Sequence, residues 1–411
     1  MKKIFCTSIV ISILTHSVFA QNVPNDPYYN LSQDSQWTLK KIGLPAVWNE
    51  FTTGGLTAAG DTIVVAIIDA GFDLNHEDLK ANFCTGWNAF DPTAPIPVNY
   101  HGTVISGIIG AVGNNNKGVC GINWNVKMLP IYGMSDNLVV VRRAVNHIIE
   151  MRQMYNESNG QKGAFIVAAN FSFGPSTDRY SGIYSSYSDD DFIGLFSEWS
   201  AMFKDLGNVG ILSCQPAGSG ENIDNLKFYI PLDFTDQHIF VATTLDDDVI
   251  DENLSYGAKL VDIGAPVASP VMNFYSTDIN NAYTKNNSAP SWTAPHVAGV
   301  IALMYAAMPP SMIQTAKSDP ANFAKSVKQA LLNGADTFPA LKPFINSGRR
   351  LNAYKAVQEV AGCPRIANIA NQIITTNTTV INNAKLILDA VGEVNIIKNF
   401  EVELGSEFEI K

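Results

Sequence analysis

Ile63-Val-Val-Ala-Ile-Ile-Asp69-Ala-Gly71 sets an unbroken apolar, largely β-branched run directly before an acid and a glycine. A strand with one wet face alternates apolar and polar side chains. A run that is apolar at every position, as residues 63–68 are, belongs instead to a strand covered on both faces, the habit of parallel sheets. Outward from it the element types alternate. Residues 104–112 read as a helix, 126–132 as a strand, 138–155 as a helix and 164–171 as a strand. A helix at 192–203, strands at 209–213, 239–243 and 260–263, and a helix at 293–307 continue the series. This order predicts an α/β fold, a central and mainly parallel sheet between two layers of helices. Chemistry on such a fold sits at the carboxyl ends of strands, where Asp69 stands.

The composition is that of a globular protein with a sizeable core: 411 residues, 46% hydrophobic and 16% charged. The formal net charge of −11 argues against a nucleic-acid partner. Residues 1–20 read as a secretory signal, with Lys2 and Lys3, an apolar stretch over 4–14 and a Val18-Phe19-Ala20 cleavage site. The expectation is an exported, soluble, monomeric protein without a membrane span. Cys84, Cys120, Cys214 and Cys363 remain after the signal; their pairing is open, and buried free thiols fit as well as disulfides. Residues 175–191, rich in Ser, Tyr and Asp, read as a surface insertion. The main domain is expected over 21–361. Residues 366–411 turn to short Ile, Val, Thr and Asn runs, a small β unit without catalytic signature. Sorting or attachment is a role its position suggests, and no repeat at a solenoid period is evident.

Three settings carry chemistry. Asp69 ends a rigid strand, although a turn aspartate would look the same. Tyr100-His101-Gly102-Thr103 opens a helix, where a cationic imidazole is disfavoured and a neutral one can accept a proton. Ser291-Trp-Thr-Ala-Pro-His-Val-Ala-Gly299 puts a serine at the start of an apolar helix, whose unpaired N–H groups and dipole favour developing negative charge. Serine, histidine and carboxylate together can run acyl transfer.

Their chain order, Asp69, His101, Ser291, is one of the known orders of that triad. With Asp69-x-Gly71-x-Asp73, His76-Glu77-Asp78-Leu79, Ser106-Gly-Ile-Ile-Gly110, Ala294-Pro-His-Val-Ala-Gly299 and a closing Asn352-Ala-Tyr-Lys-Ala-Val357, residues 26–361 resemble the subtilisin-like serine peptidases, the subtilases, and within them the thermitase branch. The resemblance implies the subtilisin-like three-layer fold and a secreted serine endopeptidase acting on polypeptides. Ser291 would be the nucleophile, His101 the base and then acid, and Asp69 the group that orients the imidazole. It implies that Ser172, Phe173 and Gly174 pair with an extended substrate. It also implies a structural Ca²⁺ inside the histidine helix, held by Asp26, Asp78, the Asn115 side chain and the carbonyls of Gly113, Lys117 and Val119. Little chain separates Ala20 from Asp26, so the long propeptide usual in that family is not expected.

The pattern departs from the family at three places. Ser219 stands where the oxyanion asparagine is usual, with Asn222 the nearest substitute; Ala289-Pro290 precedes the serine in place of Gly-Thr; and Val104 replaces a histidine. These departures motivate a rival expectation, a catalytically impaired subtilase-fold protein acting as a peptide-binding or cell-surface module.

Overall fold

The computed structural model describes residues 22–31, 35–174, 188–218, 220, 222–225, 237–269 and 273–361, and strands between 370 and 410. The expected signal at 1–20, most of the expected insertion (175–187), Ser219 and Cys363 lie outside the described residues. In chain order the strands are β1 (Ile63–Asp69), β2 (Trp87–Asn88), β3 (Lys127–Tyr132), β4 (Phe165–Phe171), β5 (Leu212–Pro216), β6 (His238–Leu245) and β7 (Ile263–Ala268). A hairpin, β8 (Phe274–Asp278) and β9 (Ala282–Asn286), precedes β10 (Asp336–Thr337) and β11 (Arg349–Arg350). All but the hairpin join one nine-stranded sheet in the order β10-β11-β7-β6-β5-β4-β1-β3-β2. Only the β10–β11 pair is antiparallel.

β1 is buried at every position and sits between β4 and β3. Because strand side chains alternate, its residues feed two cores. Ile63, Val65 and Ile67 join the core that contains the helices Tyr100–Gly110 and Thr293–Ala307. Val64, Ala66 and Ile68 join the opposite core, with the helices Leu138–Glu157 and Asp189–Asn208. This is the three-layer α/β arrangement expected from the sequence. Cys84, Cys120 and Cys214 are free thiols. No single helix among the described residues is long and apolar enough to cross a membrane.

Four expectations need correction. The strand expected over 260–263 is β7, displaced toward Ala268. Gly264 and Pro266 read as breakers, but β11 reaches β7 only at Gly264, so Pro266 lies where the outer side has no paired strand and a missing donor is harmless. The strand expected over 209–213 begins at Leu212, because the helix before it runs to Asn208 and Gly210 turns at a φ of 92°. The loop expected inside the histidine helix follows it instead. That helix ends at Gly110, Ala111 is extended, and Asn114 and Asn116 are left-handed at φ 58° and 60°.

The fourth correction concerns the C-terminal unit. Its strands pair in parallel one coil apart: Ala370–Thr376 with Ala390–Lys398, Thr379–Val380 with Glu401–Val402, and Lys385–Leu388 with Glu407–Ile410. Partners recur about twenty residues on, the register of a parallel β-solenoid. The period is carried by strand position and not by repeated residues, so the sequence does not display it.

Candidate active site

Asp69 closes β1 at the carboxyl edge of the sheet and is fully buried. Its Oδ1 accepts the Ala70 N–H at 2.7 Å and the His101 Nδ1 proton at 2.8 Å. Its Oδ2 is buried without a partner. An acceptor at Nδ1 keeps the ring proton there and leaves Nε2 as the free lone pair.

His101 rides in the first turn of its helix, which starts at Tyr100 because Asn99 caps it, its Oδ1 accepting the His101 N–H at 2.9 Å. The glycine after the histidine is required by close approach. A Cβ on Gly102 would lie 2.2 Å from the Gly71 carbonyl oxygen, so the helix start and the turn after Asp69 touch backbone to backbone.

Ser291 sits, half-buried, in a 3₁₀ turn, Pro290–Trp292, that feeds the helix Thr293–Ala307. Proline at a helix's first turn costs nothing, since its missing donor would be unpaired there anyway. A reciprocal pair of hydrogen bonds ties the turn to the end of β4. The Ser172 hydroxyl donates to the Ser291 carbonyl at 2.8 Å, and the Ser291 hydroxyl donates to the Ser172 carbonyl at 3.4 Å. Asn170 Nδ2 donates to the Ser172 hydroxyl at 3.0 Å. The next residue, Trp292, lies against His101 with ring centroids 5.4 Å apart. Residues from three separate elements therefore meet at one edge of the sheet. Asp69 and His101 are in direct contact, and the serine turn is brought beside them.

The residues expected to pair with substrate follow the end of β4. Ser172 is buried, Phe173 packs on Trp199 at 5.7 Å, and Gly174 is exposed. Gln215, on β5, escaped the sequence reading. Its Nε2 donates to the Phe173 carbonyl at 2.9 Å, and a Cβ on Gly174 would meet that nitrogen at 2.3 Å. Asn222 is not joined to Ser291. Its side-chain oxygen accepts the Asp224 N–H at 3.0 Å, and its backbone bridges to Tyr256.

Of the residues expected to hold calcium, Asp26, Asp78 and Asn115 meet at the loop after the histidine helix. Asp26 accepts the N–H groups of Asn114 (2.7 Å) and Asn115 (3.2 Å). Asp78 accepts Asn115 Nδ2 at 2.7 Å and the Val119 N–H at 3.1 Å. Both acids are fully buried, and among the described residues no basic side chain pairs with either; Lys117 turns outward to Glu77 at 2.8 Å. Burial pushes the Asp78 carboxyl up to about 7, with the Asp26 charge adding to it, and burial raises Asp26 as well. Two desolvated carboxylates facing one loop are donor chemistry suited to a hard cation, although the groups that face them are N–H donors and the Asn115 oxygen accepts the Lys117 N–H at 2.8 Å. No cluster of three or more His, Cys, Asp or Glu is present among the described residues, so any such site draws on amide and carbonyl oxygens.

Comparison with known proteins agrees with the fold. The family model described as the subtilase family, Peptidase S8, matches residues 60–362. Thermitase of Thermoactinomyces vulgaris is 28% identical over 337 residues, covering 82% of this chain and 99% of the relative. Subtilisin-like protease 1 of Plasmodium berghei (strain Anka) is 28% identical over 321 residues, but the match spans 69% of this chain and only 48% of that relative. Among solved structures, a lanthipeptide protease superposes with a TM-score of 0.57 at 20% identity, covering 78% of this chain and 92% of that one. A protease of Pseudoalteromonas arctica gives 0.55 at 22%, covering 82% and 99%. The two structures share the fold, and the family match covers the strands and helices that carry Asp69, His101 and Ser291. The chain belongs to the subtilase family of serine peptidases.

Proposed function

We propose that this protein is an exported serine endopeptidase in which Ser291, His101 and Asp69 act as one unit. The observation that carries the reading is the 2.8 Å bond from His101 to the buried Asp69, beside the turn that presents Ser291. Ser291 Oγ attacks the substrate carbonyl carbon while its proton passes to His101 Nε2, and Asp69 stabilises the imidazolium so formed. His101 then returns the proton to the departing amine, leaving an acyl ester on Ser291. Water repeats the sequence in reverse. The polypeptide lies extended along Ser172, Phe173 and Gly174. Its N–H groups compete for the Ser172 carbonyl that holds the serine hydroxyl at rest, freeing that hydroxyl for His101. The Ser291 N–H would be one oxyanion donor. Ser219 stands at the usual position of the second, and Asn222 is held in its own turn, its side-chain oxygen accepting the Asp224 N–H.

Ca²⁺, when bound, would neutralise the carboxylates of Asp26 and Asp78, with Asn115 and the carbonyls of Gly113, Lys117 and Val119 completing an oxygen shell. Chelation with EDTA is expected to lower the melting temperature by several degrees, and added Ca²⁺ to restore it. An unchanged melt in EDTA would remove the ion from the account.

The test of function is hydrolysis of casein or a peptide anilide by the secreted protein and by Ser291→Ala. Turnover lost in the variant supports the proposal. A wild-type protein that binds peptides without turnover, with an affinity Ser291→Ala leaves alone, would instead support the rival peptide-binding reading; the serine hydroxyl resting on Ser172 and not on His101 is the observation that favours it.

A further inference from the structure

We infer that Trp292 is a positioning residue for the general base, an aromatic wall that steadies the His101 imidazolium as it forms; this rests on the peptidase reading above. The indole is almost wholly buried. Its Nε1 donates to the Asn287 carbonyl at 3.1 Å, and the edge of Phe274 packs on it at 6.4 Å. Its own carbonyl accepts from His296 at 2.7 Å, tying the backbone into the serine helix. Held from three sides, the indole lies tilted at 35° against His101, its centroid 5.4 Å from that of the imidazole. Tyr100 stands edge-on to the same imidazole at 6.1 Å.

In the resting enzyme the imidazole is neutral and its contact with the indole is ordinary packing. When the Ser291 proton arrives at Nε2, the ring becomes a cation within about 6 Å of an indole centroid, the range in which the negative face of the ring system attracts positive charge. That attraction exists only once the proton has moved, so it favours the transition state over bound substrate and belongs in kcat more than in KM. The indole also blocks rotation of His101 away from Asp69. The position follows the nucleophile directly, so the turn that aims Ser291 also aims the wall.

The test compares wild type, Trp292→Phe and Trp292→Leu on a peptide anilide, and follows indole fluorescence as a peptide boronic acid binds. The boronic acid forms a bond from boron to Ser291 Oγ as the serine proton moves to His101, so it creates the imidazolium without turnover. Trp292→Leu is expected to lose about tenfold in kcat with KM within about twofold, and Trp292→Phe, which keeps an aromatic face, to recover most of it. Boronic acid binding should quench an emission component that Trp292→Phe lacks. Wild-type kcat in Trp292→Leu, or equal losses in Phe and Leu, would overturn the inference. Should Trp292→Leu fail to fold, the fluorescence comparison decides, and the same quench in wild type and Trp292→Phe refutes the role. Absence of turnover in the wild-type enzyme is distinguishable from all of these, because it removes the peptidase reading and this inference with it.

Discussion

At the scale of single residues, Asp69 does two things with one oxygen. Its Oδ1 holds both the Ala70 N–H and His101, while Oδ2 is buried and bare. Asp69→Asn keeps the shape but lets an amide donate toward Nδ1, which forces the wrong tautomer. Turnover is expected to fall by about 10⁴ with the melting temperature little changed. A loss below tenfold in peptide hydrolysis would contradict the orienting role. Asp69, His101 and Ser291 were legible as candidates only in combination: a strand end and two helix starts are each ambiguous alone, and their chain order with the flanking motifs singles them out. Gln215 and Trp292 were not legible. Gln215 acts on Phe173 and Trp292 on His101, contacts between distant parts of the chain that exist only after the sheet has formed. Ser172 was legible as a strand terminus, but its reciprocal bonds with Ser291 were not.

At the scale of elements, the histidine helix shows how a local cap and a close backbone approach override propensity. Tyr100-His101-Gly102 is poor helix sequence, so the clear helix pattern covers only residues 104–112; the Asn99 side chain fixes the start at Tyr100. Gly102→Ala should improve helix propensity by about 1 kcal/mol, yet its Cβ would meet the Gly71 oxygen at 2.2 Å and the Phe72 ring at 2.9 Å. The clash should win. A net destabilisation above about 2 kcal/mol and a marked fall in kcat are expected by thermal melt and peptide assay. A variant as stable and active as wild type would show that the helix and the Asp69 turn do not need their close approach. The central strands were legible because burial on both faces writes itself as a continuous apolar run. The β8–β9 hairpin was not, since its turn depends on Asn280 and Asn281 at φ 62° and 57°, a conformation asparagine tolerates without declaring.

At the scale of the whole molecule, buried neutral histidines couple folding to pH. His296 lies wholly inside the serine helix's core, bonded to the Trp292 carbonyl and the Thr38 hydroxyl, and burial holds it down to about 4. His238, also buried, is held well below its ordinary value by burial and by Lys328. Below an unfolded value of about 6.5, the unfolded chain binds protons that the folded chain refuses, so stability falls as pH drops from about 6.5 toward 4. For His296 alone the loss approaches about 3 kcal/mol across that window. The raised Asp78 carboxyl acts with the opposite sign over the same range, so the readout is a difference between variants: wild type is expected to lose stability relative to His296→Gln as pH drops from about 6.5 to 4. Parallel pH profiles in the two proteins would contradict the assignment.

The central claim is that Ser291 is a nucleophile activated by His101 and Asp69. A fluorophosphonate probe, which bonds covalently only to an activated serine, tests it most directly when the labelled peptide is mapped by mass spectrometry. Labelling is expected at Ser291, lost in Ser291→Ala and strongly slowed in Asp69→Asn. A wild-type protein that stays unlabelled, or one labelled equally in Ser291→Ala, would contradict the account.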